Sequence, residues 1–237
     1  MNDAQTVSKV FLIPSMLDEQ AINTIPLYII NAVKQCKVFF VENERSSRRY
    51  LKSIWKEIVI DDYQWITIHK AEPQVKNQFE QMIKQHITIG IISEAGCPGV
   101  ADPGQILVSV AHNNGAAVVP LVGPSSILLA LMASGLNGQQ FQFVGYLPID
   151  NAEKQKSLRI LESESLKKNC TQIFIETPYR NNQLLEMMIK TCAPQTKICI
   201  AAELTSEHEW IKTKTIAEWK KVLPDLHKKP VVFLMLS

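Results

Sequence analysis

The stretch SEAGCPGVADPGQ, residues 93–105, holds three of the chain's nine glycines and two of its twelve prolines. Glycines at 96, 99 and 104 let a backbone approach a ligand closely and take positive φ. A loop of this composition can offer bare amides and carbonyls to a small molecule. The spacing is not G-x-G-x-x-G, and no Gly-Lys-Ser/Thr follows, so neither common nucleotide signature is present. The plain alternative is a tight structural turn. A second group of residues suits phosphate. In VENERSSRRYLK, residues 41–52, Arg45, Arg48, Arg49 and Lys52 stand at i, i+3, i+4 and i+7. On a helix they share one face, which fits a phosphate backbone; the alternative is a solvated helix face.

The elements that must carry these residues follow from periodicity. VFLIP, KVFFVE, WITIHK, ITIGIIS and AAVVPLVG read as strands, and PLYIINAVKQC (26–36), RSSRRYLKSIW (45–55), VKNQFEQMIKQH (75–86), a run from Gln105 and SSILLALMASG as helices. Short apolar runs separated by helices of ten to twelve residues imply βα units and a largely parallel sheet. Asp102 and Pro103 read as a cap and first-turn pair for the helix at Gln105. Gly115 and Gly135 stand where helix C-terminal caps belong. LPIDNAEKQK, near Pro148, reads as a linker. Beyond it come a helix (152–167), QIFIE, NNQLLEMMIKTC, KICIAAEL, TIAEWKKV and VVFLML. The expected architecture is α/β with two lobes, 1–140 and 141–237. There is no internal repeat.

Composition sets bounds. Hydrophobic residues are 46%, charged residues 20%, and the net charge is +2, as in an ordinary soluble globular protein. That charge does not announce a nucleic-acid binder, although a local patch can serve. The longest apolar run, ILLALMA, is far short of the roughly 20 residues that span a bilayer, and MNDAQTVSKVFLIP lacks the regions of a secretory signal. Five scattered cysteines without a CxxC pair favour reduced thiols and a cytoplasmic setting. The five histidines show no ligand spacing, so no metal site is expected.

SEAGCPGVADPG, VVPLVGPSS, ASGL, FVGYLP, IETPYR and ELTSEHE, in this order, resemble the ribosomal small-subunit methyltransferase I family, part of the tetrapyrrole-methylase-like S-adenosylmethionine (SAM) methyltransferases. The resemblance runs from about Val10 to the C-terminus and is densest from Ser93 to Pro148. It implies a mostly parallel sheet in the first lobe, a mixed sheet in the second, and SAM folded in the cleft between them, held mainly by backbone groups. It places Pro14, the loop Ser93, Glu94, Ala95, Gly96 and Cys97, then Ser125 and Ser126, and from the second lobe Glu176, Thr177, Ala202 and Leu204, around SAM. It implies methylation of a cytidine ribose 2′-hydroxyl in small-subunit rRNA, in the cytoplasm, by a homodimer. A 2′-hydroxyl is a weak acid that a nearby base assists, and Glu42, at a strand end, is the candidate; the alternative is a helix-capping residue. Arg45, Arg48, Arg49 and Lys52 are the candidate RNA contacts, with Tyr179 and Arg180 a second pair. Lys167, Lys168, Lys212, Lys214, Lys228 and Lys229 read as solvent lysines.

The sequence also departs from that family. Glu-Asp-Thr-Arg becomes Glu42-Asn43-Glu44-Arg45, Pro-x-Gly-Asn-Leu becomes PSMLDEQAINTI, and ELTK becomes ELTS, losing a lysine at Ser206. Family members usually carry a further helical C-terminal segment. The first loop borders the cleft, so its change bears on SAM and substrate binding; together the departures leave the SAM pocket in place and the substrate open. A methyltransferase for a small molecule such as a tetrapyrrole, and a non-catalytic SAM-binding protein, therefore stand beside the rRNA reading.

Overall fold

Residues 10–13, 38–41 and 89–92 are all apolar or glycine, as strands covered on both faces must be. The computed structural model describes residues 7–68 and 72–237. In it β1 (Lys9–Ile13), β2 (Val38–Val41), β3 (Gln64–Thr67), β4 (Ile89–Ile92) and β5 (Ala117–Pro120) form one sheet in the order β3-β2-β4-β1-β5. Every pairing in it is parallel. The last two residues of WITIHK, and the first six of the chain, lie outside the described residues.

The crossovers run through α1 (Ile29–Val33), α2 (Glu44–Ile54), α3 (Glu72–Lys84) and α4 (Gln105–Asn113). Period-two alternation sorts the strand side chains. Val38, Phe40 and Ile91 pack with Phe79, Met82, Leu107 and Val110 of α3 and α4. Phe39, Val41 and Ile13 pack with Ile29, Val33, Tyr50 and Leu51 of α1 and α2. The chain therefore leaves neighbouring strands β1 and β4 toward opposite faces. The carboxyl ends of strands at such a switch point are where open α/β sheets bind ligands.

The second sheet has β6 (Phe141–Tyr146), β7 (Thr171–Ile175), β8 (Lys197–Ala202), β9 (Trp210–Thr215) and β10 (Val231–Leu236) in the order β6-β7-β10-β8-β9. Only β6 with β7 is parallel, so the sheet is mixed, as expected. α6 (Asn151–Lys168), α7 (Asn181–Thr191) and α8 (Ile216–Trp219) bury Leu158, Leu184, Met188 and Trp219 against it. α5 (Ser126–Ser134) packs on β8, β9 and β10.

The chain divides into two units between Ser125 and Ser126, not at the expected 140/141, because α5 belongs to the second sheet. The expected linker is not one: Asp150 caps α6, its carboxylate accepting from the N–H of Ala152 and Glu153. α1 is shorter than the expected helix over 26–36, and the strands β6 and β9 were not expected. Gly115 and Gly135 take φ of 70° and 68° just after α4 and α5, as caps do. The N-cap of α4 is Gly104, at φ 128°, two residues beyond Asp102. Among the described residues no helix is long and apolar enough to cross a membrane.

Candidate functional site

The first unit gathers its candidates at the carboxyl edge of the parallel sheet. Pro14 follows β1, Glu42 follows β2 and Ser93–Cys97 follow β4. The replacement loop after Pro14 is integral to this edge. The Ser15 N–H donates to the Gly96 carbonyl at 2.8 Å, and the Gly96 N–H donates back at 3.1 Å. The Ser15 hydroxyl donates to the Ser93 carbonyl at 2.6 Å, and the Ser93 hydroxyl to the Gly96 carbonyl at 2.9 Å. Ser15 and Ser93 are buried, so the Ser93 side chain holds the loop's shape rather than facing a ligand. Gly96 sits at φ 77°, where a Cβ would also stand 3.4 Å from Leu17 and from the Pro124 carbonyl. Gly123 lets the chain after β5 touch Pro14; a Cβ there would lie 2.2 Å from the proline ring. The Pro14 carbonyl accepts from the Tyr50 hydroxyl at 2.6 Å. Cys97 donates weakly to the Pro124 carbonyl at 3.5 Å, and burial, then Asp102, raises its thiol pKa, which keeps it unreactive.

Three carboxylates meet at this edge. The Glu94 N–H donates to Glu42 Oε2 at 2.7 Å, and the Ser46 hydroxyl to Glu94 Oε1 at 3.0 Å. Asp102 comes in from the glycine-rich loop, which closes on itself through Gly99 N–H to the Pro103 carbonyl at 3.2 Å. Burial, then the charges of Glu42 and Glu94, push the Asp102 carboxyl up to about 7. Burial, and next to it the proximity of Glu94, raise Glu42, against the lowering effect of the Glu94 N–H. Among the described residues no ion pair joins any of the three to a cation.

A carboxyl whose folded pKa lies above its unfolded value binds its proton more tightly in the folded state. Asp102 therefore withdraws stability as pH rises from about 4 to 7. Asp102→Asn is expected to stabilise the protein above pH 7, by about 1 kcal/mol once solvent screening at this half-buried group is allowed for. It should be near neutral at pH 4. Urea unfolding at the two pH values checks this.

Beside the acids a cavity of about 190 Å³ is lined by Ser15, Met16, Leu17, Ser46, Arg49 and Glu94. α2 forms one wall, capped by Asn43, whose Oδ1 accepts from the N–H of Arg45 and Ser46. The basic stripe divides here. Arg48 pairs with Glu44 at 2.6 Å and lies over the Trp65 ring at 5.3 Å. Lys52 donates to the Ile58 carbonyl at 2.8 Å. Arg45 is exposed, and Arg49 has only a 3.8 Å pairing with the exposed Glu19. Two of the four cations thus remain for an external phosphate.

In the second unit, β7 and β8 both run antiparallel to β10, so Glu176–Thr177 and Ala202–Leu204 end at one edge of the mixed sheet. The Glu176 carboxylate is consumed internally. Lys154 donates to Oε2 at 2.6 Å; Oε1 accepts from Arg180 at 2.7 and 3.0 Å and from the Thr177 N–H at 2.8 Å. Burial pushes this carboxyl up, and the bonds from Lys154, Thr177 and Arg180 outweigh that and hold it below the usual range. Arg180 is thereby tied down, while Tyr179 is 67% exposed. Ala202 and Leu204 are buried, which leaves their backbone as the part available to a ligand. Ser126 opens α5 directly after Ser125.

Sequence reasoning missed Ser15, Asp102 and Lys154 as parts of these edges. Only Asp102 carried a usable signal, lying in the glycine-rich loop eight residues after Glu94.

The first unit is thus a parallel β3-β2-β4-β1-β5 sheet with a glycine-rich loop and carboxylates at its carboxyl edge, and the second is a mixed five-stranded sheet. Residues 23–220 match the tetrapyrrole (corrin/porphyrin) methylases, and the chain belongs to that family. Within it the chain is similar to ribosomal RNA small subunit methyltransferase I of Vibrio cholerae, 36% identical over 64% of this chain and 51% of that protein. It is also similar to the protein of the same name from Halalkalibacterium halodurans, 30% identical over 80% and 62%. The chain spans about half the length of the curated relatives it matches. Among solved structures it shares its fold with diphthine synthase (TM-score 0.69, 16% identity, covering 97% of this chain and 89% of that one). A uroporphyrin-III C-methyltransferase from Thermus thermophilus, complexed with S-adenyl homocysteine, has a TM-score of 0.58 at 12% identity, covering 97% and 98%.

Proposed function

We propose that this chain is a SAM-dependent methyltransferase acting on a ribose 2′-hydroxyl of RNA, within the small-subunit rRNA. The observation that carries the proposal is the convergence of Glu42, Glu94 and Asp102 beside a glycine-rich loop. SAM bears a sulfonium and an ammonium, and a cationic ligand relieves the mutual repulsion of these carboxylates. Backbone groups of Glu94–Cys97 suit the polar groups of SAM. Glu176 serves by fixing the Thr177 turn. Ser125, just before α5, and Ser126, its first residue, suit the methionine moiety by their place. When bound, SAM supplies an already activated methyl group, so the residues' work is alignment and exclusion of water. Glu42, raised by burial, receives the hydroxyl proton. Arg49 and Arg45 hold phosphates flanking the target, whose ribose suits the cavity beside Glu94. The names of the relatives favour RNA over a small tetrapyrrole. The reading carries with it a homodimer in the cytoplasm.

Calorimetric titration with SAM tests the cofactor. Affinity is expected to rise as pH increases through about 7, because the cation favours ionised Asp102. The rise should be steeper for SAM than for its demethylated product, which lacks the sulfonium, and Asp102→Asn should flatten both. Absence of binding to either ligand would remove the enzyme reading.

Arg45→Glu with Arg49→Glu is expected to weaken RNA binding, lower the salt slope by about 1.4 for two lost single-strand phosphate contacts, and leave SAM affinity unchanged. Anisotropy titrations of rRNA fragments across salt concentrations check this; an unchanged slope would place the phosphates elsewhere.

A further inference from the structure

The second unit carries a cavity that shares only Ala202 with the residues the resemblance places around SAM. The end of β8 at Ala202, loop Glu203–Glu209, the start of β9 and the segment before β10 border a cavity of about 640 Å³, lined also by His208, Trp210, Pro224, Asp225, Leu226 and Lys229. That volume suits a nucleoside-sized ligand. Trp210 is half-buried, its ring 6.0 Å from that of Trp219, so it is a rigid apolar wall. His208 is exposed at the rim.

The loop is firmly built. The Ser206 N–H donates to the Glu203 carbonyl at 3.0 Å, and the Thr205 N–H to Glu209 Oε2 at 2.8 Å. Lys229 donates to Glu203 Oε2 at 2.6 Å. Asp225 Oδ1 accepts from Asn182 and from the His227 N–H. Glu203, Thr205 and Lys228 hold left-handed backbone at φ 51°, 70° and 62°, and strained residues of this kind gather at functional sites.

The surroundings are basic. β9 is an edge strand, and its alternation puts Trp210, Lys212 and Lys214 on one face. Lys214 lies 4.8 Å from the Trp219 ring centroid, and Lys212 is exposed. Lysines on an edge strand also guard against strand addition. Guarding does not account for an aromatic-walled cavity at the end of the same row. Cations flanking an aromatic wall are how single-stranded nucleic acid is held: phosphates track the cations and a base stacks on the ring. Inside the cavity the Lys229 charge is matched by Glu203, and Asp225 adds a carboxylate. The interior therefore suits a base bearing an exocyclic amine rather than a phosphate.

We propose that the Trp210 cavity receives one unstacked, amine-bearing base of a single-stranded RNA segment, whose backbone follows Lys212 and Lys214 along β9. The proposal rests on the RNA reading above and adds a second contact to it, on the other unit from Arg45 and Arg49.

The test uses the full chain and short single-stranded RNA. Ultraviolet cross-linking of the unaltered protein is expected to map to residues 208–214, and a cytidine octamer should bind more tightly than a uridine octamer. Trp210→Leu keeps an apolar side chain against Trp219 and should weaken cytidine-octamer binding about tenfold, with SAM affinity unchanged. Lys212→Glu, on an exposed residue, should lower the salt slope by about 0.7. If the protein binds RNA but cross-links only elsewhere, or Trp210→Leu binds as the parent does, the site is wrong while the RNA reading survives. If Trp210→Leu loses SAM binding, the cavity serves the cofactor and the proposal falls. If the parent binds no RNA, both readings fall together.

Discussion

Lys154→Met is expected to destabilise the protein by about 3 kcal/mol at pH 7.5, because it strands a buried carboxylate. The Lys154 and Glu176 side chains are 4% and 0% exposed, and their 2.6 Å contact joins α6 to the end of β7. Arg180 remains on the other oxygen, 30% exposed, and limits the loss. The pH dependence identifies the cause. In the parent the Glu176 carboxyl is held low, so its contribution is present above the ordinary carboxylate range and is lost as pH falls through the depressed value. In the variant that carboxyl loses its closest cation and is protonated more readily. The difference between variant and parent should therefore narrow from pH 7.5 to pH 4.5. Lys154→Met with Glu176→Gln should recover part of the loss, since removing both charges costs less than removing one. Urea unfolding of the three proteins checks this; a single variant within 0.5 kcal/mol of the parent at pH 7.5 would show that the pair is not a structural keystone.

Glu42→Gln is expected to lower the rate of methyl transfer by at least about 100-fold, the usual range for loss of a positioned base. The amide oxygen can still accept the Glu94 N–H that Glu42 Oε2 now receives, so the loop should keep its shape. The charge is lost, however, and Asp102, which Glu42 helps to raise, should titrate lower. Single-turnover methyl transfer, with calorimetry across pH, reads both effects. A rate within threefold of the parent, with the Asp102 titration lowered, would hand the proton to Asp102.

The parallel sheet was legible because strands covered on both faces are unbroken apolar runs, and VFLI, VFFV and IGII announce themselves. The two unforeseen strands are both sheet edges. β9 reads WIKTKT, whose alternating lysines look like solvent loop. β6 carries a register shift between Phe143 and Tyr146, with Gly145 at φ 72°, which breaks its period. The carboxyl-edge loops could be placed by composition, but their internal wiring could not. Ser15 looks like part of a degraded motif until its bonds to Gly96 and Ser93 are seen. Lys154 sits in a lysine-rich helix, and only a partner 22 residues away explains its burial. The basic stripe of α2 was legible as a helical face, yet its division into tied and free cations depended on Trp65 and Ile58.

The central claim is that this edge binds SAM and delivers its methyl group to a ribose of rRNA. Incubating the purified protein with methyl-labelled SAM and unmethylated small ribosomal subunits, then mapping the label by nucleotide analysis, tests it most directly. The account predicts label in one 2′-O-methylated nucleotide, dependent on Glu42. Label in no RNA, from a protein that binds SAM, would contradict it.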